Sequence, residues 1–509
     1  MRSDGPGPGL VYDVAVRPLL LVVALAACGD EGPACEPQAP LLTGLLSDPY
    51  GLDLPDNCVR GGLDAIPGRW FISDTDTRYF FQYPQFEGSC RTGFRRSLAA
   101  PDDRDASDGT TFITWSDGTR YFERRQFTSG AVSAQAYCIL PDDTLVGADV
   151  TAFQNERSFL RLTGKPFGPK DDLAQGLELV GELGTDATGS PMRGIDVAVD
   201  GNFAYLGTFT GIEVIDVSKP ATPVAVTHFP GPANDVAVVH GDGRTVVYAS
   251  PFGRSSTRAI DVTDPRSPIL VAEIPDYSHT LFHSTRNGGS HIYLAAYTND
   301  IPEFDVSHPL DPQRTGSTKV PGIEAGVHDM FVDGDRFYAN NTTAGIVAFD
   351  VSGGLDHPVE LGRIQTTFSH TSVAGMVGGR PIVLDGDEGF TGSDGGAFLR
   401  IIDADRASPT FFTELARYQS RPEVGIHNFQ LVCNRLYIAY YQDGVRVLDL
   451  SNPARPLEVA HYNTWNPQTA PGGAFEGALT VQVVGNLIFV SDDLRGLLIL
   501  RDPALPLWW

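Results

Sequence analysis

The chain has 509 residues, 37 of them basic and 63 acidic, for a net charge of −26. Such a surface repels phosphate backbones and argues against non-specific nucleic-acid binding, while 42% apolar and 20% charged residues exclude a globally disordered chain. With 55 Gly, 37 Pro and 10% aromatics, the composition favours many short strands joined by tight turns over long helices.

At the amino terminus Arg17 precedes an apolar run from Pro18 to Ala27. The run is too short to cross a hydrocarbon layer of about 30 Å, and it has the length of a secretory signal core. Its end, Leu25-Ala26-Ala27-Cys28, resembles a bacterial lipobox. The resemblance implies removal of residues 1–27, a lipid on Cys28 and a membrane attachment through that lipid. Arg2 and Arg17 balance Asp4 and Asp13, so this cleavage leaves the net charge unchanged. Gly29 stands where an aspartate would follow the lipidated cysteine; by resemblance to enterobacterial sorting, this implies the outer membrane, on its periplasmic face or at the cell surface. Export permits disulfides. Cys35, Cys58, Cys90 and Cys138 allow three connectivities, of which Cys35–Cys58 with Cys90–Cys138 is the sequence-local one, and Cys433 is left over. No Cys-x-x-Cys spacing occurs, so a thiolate zinc site is not expected.

Residues 28–59 read as a tether and 60–165 as a small antiparallel β barrel or sandwich. Gly68–Ser73, Arg78–Tyr83, Thr111–Trp115 and Thr119–Glu123 are short aromatic-rich strands, with Ser116-Asp117-Gly118 as a hairpin turn. Ala131–Leu140, Leu145–Phe153 and Ser158–Leu162 continue the meander. Residues 166–176 read as a linker.

From residue 177 to 509 the chain repeats. One unit runs Ile195–Asn202, Phe203–Gly207, then Gly211-Ile212-Glu213-Val214-Ile215-Asp216-Val217-Ser218 and on to Pro223. Its marker aspartate recurs as Asp261, Asp305, Asp350, Asp403 and Asp449, and a seventh copy carries Arg501 in that place. The markers are 45, 44, 45, 53, 46 and 52 residues apart. A period near 45 with four short β segments per unit is a propeller signature, and seven copies predict seven blades. The last copy has little chain left for a fourth strand, whereas Leu177–Leu183 looks like an orphan copy of that strand, matching Leu457–His461. An early strand therefore closes the ring and leaves no free edge at the termini. The repeat resembles that of the bacterial and archaeal LVIVD-repeat proteins, whose unit ends hydrophobic-hydrophobic-Asp-Val-Ser-x-Pro-x-x-Pro. The resemblance implies an extracytoplasmic β-propeller and leaves the activity open.

Before each innermost strand sits a dipeptide: Ile195-Asp196, Asn234-Asp235, His279-Thr280, His328-Asp329, His370-Thr371, His427-Asn428 and Leu479-Thr480. The second column is polar throughout, and the first is histidine in four consecutive blades of a chain with 11 histidines. Alternation along a strand sends the two columns to opposite faces, one toward the channel and one toward the neighbouring blade. Facing inward, His279, His328, His370 and His427 would form an arc suited to a transition metal, with Asp196 and Asp235 as further oxygen ligands, or supply a general base. Facing between blades, the same side chains would satisfy backbone groups. The marker aspartates read as caps of their turns, and the acidic stretch Asp385–Asp394 of blade five as a solvated loop. The leading expectation is an exported, lipid-anchored binding module of the cell envelope, with a protein or small-molecule ligand at one channel mouth. The alternative is a metal-dependent enzyme, of copper or iron redox type, using the histidine arc.

Overall fold

The computed structural model describes residues 69–74, 91–96, 111–116, 121–126, 132–142, 145–153 and 156–505, apart from 252–255, 287, 321–325, 390–396 and 467–474. Cys28, Cys35, Cys58 and Cys90, with the signal, the tether and the segment Arg78–Tyr83, lie outside these residues. Among the described residues no helix is long and apolar enough to cross a membrane.

The amino-terminal β domain takes the form of one antiparallel sheet of seven strands. Its order is Arg91–Arg96, Arg69–Asp74, Glu156–Phe167, Leu145–Phe153, Val132–Ile139, Tyr121–Gln126, Thr111–Ser116. Strand Arg91–Arg96, at one edge, has no counterpart in the sequence reading. Cys138 is buried and disulfide-bonded, and Cys433 is an exposed free thiol. Cys433 occupies a hairpin turn with φ of 52°, the slot that glycine fills in other copies.

Seven four-stranded antiparallel blades follow, and every blade has the same meander. In blade 1 the strands are Gly194–Asp200, Phe203–Thr208, Gly211–Asp216 and Val224–Pro230. The second and third are buried almost throughout, being covered by blades on both faces, and the outermost is half exposed. Apolar side chains of adjacent blades mesh into shared cores: Tyr205, Ile212 and Val214 of blade 1 pack on Val236, Val247 and Ile260 of blade 2. Each marker aspartate caps its turn as expected. Asp216, Asp261, Asp305, Asp350, Asp403 and Asp449 each accept the amide of the residue two positions on. In blade 7 the cap moves one residue along, and Asp502 accepts the Ala504 amide and the Tyr437 hydroxyl.

Blade 7 has three strands from the end of the chain and a fourth, Glu178–Leu183, from before blade 1. Leu183, Gly181 and Glu178 pair with Leu497, Ile499 and Arg501, and Arg495 forks onto the Glu182 carboxylate. Phe489, Leu497 and Ile499 then share a core with Val197, Leu206 and Ile215 of blade 1, which closes the ring. The segment expected to be a linker is pinned to blade 6. Ala174–Gln175 adds a fifth strand there, Arg446 binds the Asp171 carboxylate at 2.5 Å, and Asn463 donates to the carbonyls of Asp171 and Asp172.

Gly181 makes the closure testable. A Cβ there would lie 2.1 Å from the Pro220 carbonyl oxygen, part of the backbone of blade 1. Gly181→Val is therefore expected to destabilise the propeller by about 1–3 kcal/mol through overpacking, seen as a lower denaturant midpoint. The exposed-turn variant Gly201→Asn, with no atom within 4 Å of its Cβ, should change the midpoint far less.

Candidate functional site

The two columns of the dipeptides separate at the channel, and the second column is the one that lines it. A cavity of about 690 Å3 runs along the channel between all seven innermost strands. Asp196, Asp235, Asp329, Thr371, Asn428 and Thr480 border it, and none of the four histidines does. These polar side chains also tie blades to their neighbours. Asp196 Oδ2 accepts the Val236 amide at 2.8 Å, and Asp235 Oδ2 accepts the Leu281 amide at 2.9 Å. Thr280 donates to the His328 carbonyl, Asn428 to Thr480 Oγ1, and Thr480 to the Ile195 carbonyl. Asp196 and Asp235 thus serve backbone amides, and they do not join the histidines as ligands.

The histidines form an arc one residue beyond this ring, at the mouth where the chain enters each innermost strand. Ring centroids of His279 and His328, His328 and His370, and His370 and His427 are 4.7, 4.2 and 4.5 Å apart. Of the four, His370 sits on a β-bulge. In blades 1, 5 and 7 the pairing register skips Ile195, His370 and Leu479, the residues of the first column. An extra residue in the strand re-aims its side chain. Of the other first-column residues, Ile195 and Leu479 belong to an apolar cluster with Ile426, Tyr440, Tyr441 and Trp465, and Asn234 Nδ2 donates to the His279 carbonyl at 2.7 Å.

The four imidazoles do not converge on one point. His328 and His370, 3% and 2% exposed, place ligand atoms within 4.8 Å of each other and of the buried Glu388 carboxylate. His370 Nε2 and Glu388 Oε2 are 3.8 Å apart. His279 instead faces His328, Nε2 to Nε2 at 3.1 Å, and His427 Nδ1 donates to the Leu479 carbonyl at 2.7 Å. Burial holds the imidazoles of His279 and His427 down to about 4. Burial, followed by neighbouring imidazoles, pushes His328 and His370 well below the usual range. All four are neutral at pH 7, the state in which imidazole accepts a metal or a proton. Burial also raises the Glu388 carboxyl to about 8, while the Tyr441 hydroxyl donates to its Oε1.

Glu388 was missed in the sequence because Asp385–Asp394 reads as a solvated loop. That reading is corrected: Asp385, Asp387 and Glu388 are buried. The second strand of blade 5 runs Arg380–Asp387, so the apolar run Ile382–Leu384 carries the acidic residues into the interior. Arg400 offsets Asp385 and Asp387 at 3.8 and 3.2 Å. A second gathering of potential ligands, Asp171, Glu458 and His461, is already neutralised, because Arg446 Nη1 lies 2.5 and 3.0 Å from the two carboxylates.

Residues 194–229 and 433–464, in blades 1 and 6, match the LVIVD repeat family. Two of the seven blades thus carry LVIVD repeats. Among solved structures, this LVIVD-repeat chain is similar to the WD40 β-propeller domain of Doa1, at 12% identity over 64% of this chain and 97% of that one (TM-score 0.46). It is also similar to Raptor from Chaetomium thermophilum, at 13% identity over 65% of this chain and 29% of that one (TM-score 0.48). BamB from Moraxella catarrhalis matches at 11% identity over 72% of this chain and 95% of that one (TM-score 0.38). No curated protein sequence matches the LVIVD-repeat chain.

The channel ring carries a pH signature. Desolvation in the channel, and then the charge of Asp196, raises the half-buried Asp235 carboxyl well above its ordinary value. A carboxyl raised on folding contributes stability below its unfolded value of about 3.9, and that stability is lost as the pH rises toward the folded value. Asp235→Asn keeps an acceptor for the Leu281 amide and removes the charge. It should melt higher than the wild type at pH 7, with the difference vanishing below pH 4. Asp235→Ala leaves the amide unsatisfied and should cost about 1–3 kcal/mol.

Proposed function

We propose that this LVIVD-repeat protein is an exported binding module of the bacterial cell envelope, held to the outer membrane by a lipid on Cys28. It takes a protein or small-molecule ligand at the histidine mouth of its channel. One observation carries the assignment to that mouth: an exposed aromatic ring stands at each end of the arc, whose two middle members are buried. Tyr297, 40% exposed, lies 4.9 Å from His279 and 5.2 Å from His328 between ring centroids. Phe475, 38% exposed, lies 5.6 Å from Tyr441, which in turn packs 5.3 Å from His427. Aromatic anchors with a polar floor beneath them are the chemistry of a recognition surface. A fold does not choose between binding and catalysis. The reading as a metal-dependent enzyme at the same mouth is favoured by the gathering of His328, His370 and Glu388.

A photo-crosslinking residue placed at Tyr297 or at Phe475 in the producing bacterium should give adducts. The same residue at Asn202, on a turn at the opposite end of the blades, should not. Cys28→Ala should abolish palmitate labelling and release the chain from the membrane fraction. Adducts from Asn202 alone, or membrane retention in Cys28→Ala, would contradict the assignment.

A further inference from the structure

We infer that His328, His370 and Glu388 bind one divalent first-row transition ion, of the zinc, cobalt or iron(II) kind, at the channel mouth. The inference rests on the reading of that mouth as the functional site and names what it holds.

The donor set is two imidazole nitrogens and one carboxylate oxygen. Mixed nitrogen and oxygen donors suit these ions, whereas magnesium and calcium select oxygen alone and copper(I) selects sulfur. Two donors bound at about 2.1 Å to one tetrahedral ion are about 3.4 Å apart. The His370–Glu388 separation of 3.8 Å is near this value, and a set spanning up to 4.8 Å closes onto one ion with side-chain shifts of about 1 Å.

The surroundings of Glu388 point the same way. Among the described residues no lysine or arginine reaches Glu388, whose partners are the Tyr441 hydroxyl and His370. Its neighbours differ: Arg400 compensates Asp385 and Asp387. A buried carboxyl without a cation keeps its proton, and a divalent ion bound at Oε2 would displace that proton and take its place. Tyr441 is a positioning residue here, because its hydroxyl holds Oε1 while Oε2 faces His370. Three protein ligands leave coordination positions open toward the mouth, where an exogenous donor would bind the ion.

The test uses the full chain, stripped with a chelator and titrated with Zn2+ by calorimetry and with Co2+ by visible absorption. One equivalent should bind, with a Co2+ spectrum of nitrogen and oxygen donors. Glu388→Gln keeps the shape and the tyrosine contact, and it should weaken binding at least tenfold. His370→Ala should abolish binding, while His427→Ala should change it less than threefold. Circular dichroism checks folding, and Glu388→Gln reports on the charge even where His370→Ala unfolds. No binding by the folded wild type, or equal binding by wild type and Glu388→Gln, would overturn the inference. Loss of metal binding with crosslinks retained at Tyr297 and Phe475 would sink the ion site and leave the mouth as the binding surface. A bound ion without those crosslinks would do the reverse.

Discussion

The propeller depends on one recurrent interaction, the reach of a polar side chain at the start of an innermost strand to the backbone of the next blade, seen at four of the seven strands. Asp196 and Asp235 accept amides of the following blade, and Thr280 and Thr480 donate to carbonyls. Apolar meshing alone fixes that blades stack but fixes their register weakly, since hydrophobic contact is non-directional. A buried hydrogen bond is directional, and leaving it unmade is costly. The latches therefore set how far the latched blades are turned, keep the channel polar, and consume the carboxylates that would otherwise be free to bind a cation.

That constraint produces the mouth. With the second column committed to the channel, the first column is carried past the ring, where four histidines from successive blades pack ring against ring. Dry surroundings keep them neutral. The same low polarity governs the buried acids nearby, several of which have a cation as partner: Asp443 has Arg421, and Asp385 and Asp387 have Arg400. Glu388 has a tyrosine hydroxyl and an imidazole instead.

The blades were legible because each repeat must bury the same faces, so the marker aspartates recur near 45 residues. The closing strand was legible for the same reason, Leu177–Leu183 being a copy without its repeat. The histidine slot was legible as a column, but its direction was not. Alternation assumes regular pairing, and the bulges at Ile195, His370 and Leu479 break it. Glu388 was hidden because composition cannot distinguish an acidic loop from an acidic strand end compensated by Arg400. The docking of Asp171 and Asp172 on blade 6 was hidden because much of it runs through main-chain carbonyls, which every sequence carries alike.

The claim that side-chain latches register the blades is tested most directly by amide hydrogen exchange at Val236 and Leu281, compared between wild type and Asp235→Ala. The account predicts slow exchange of both amides in the wild type. In the variant, Leu281 should exchange at least tenfold faster while Val236, held by Asp196, stays protected. Equal protection of Leu281 in both proteins would contradict it.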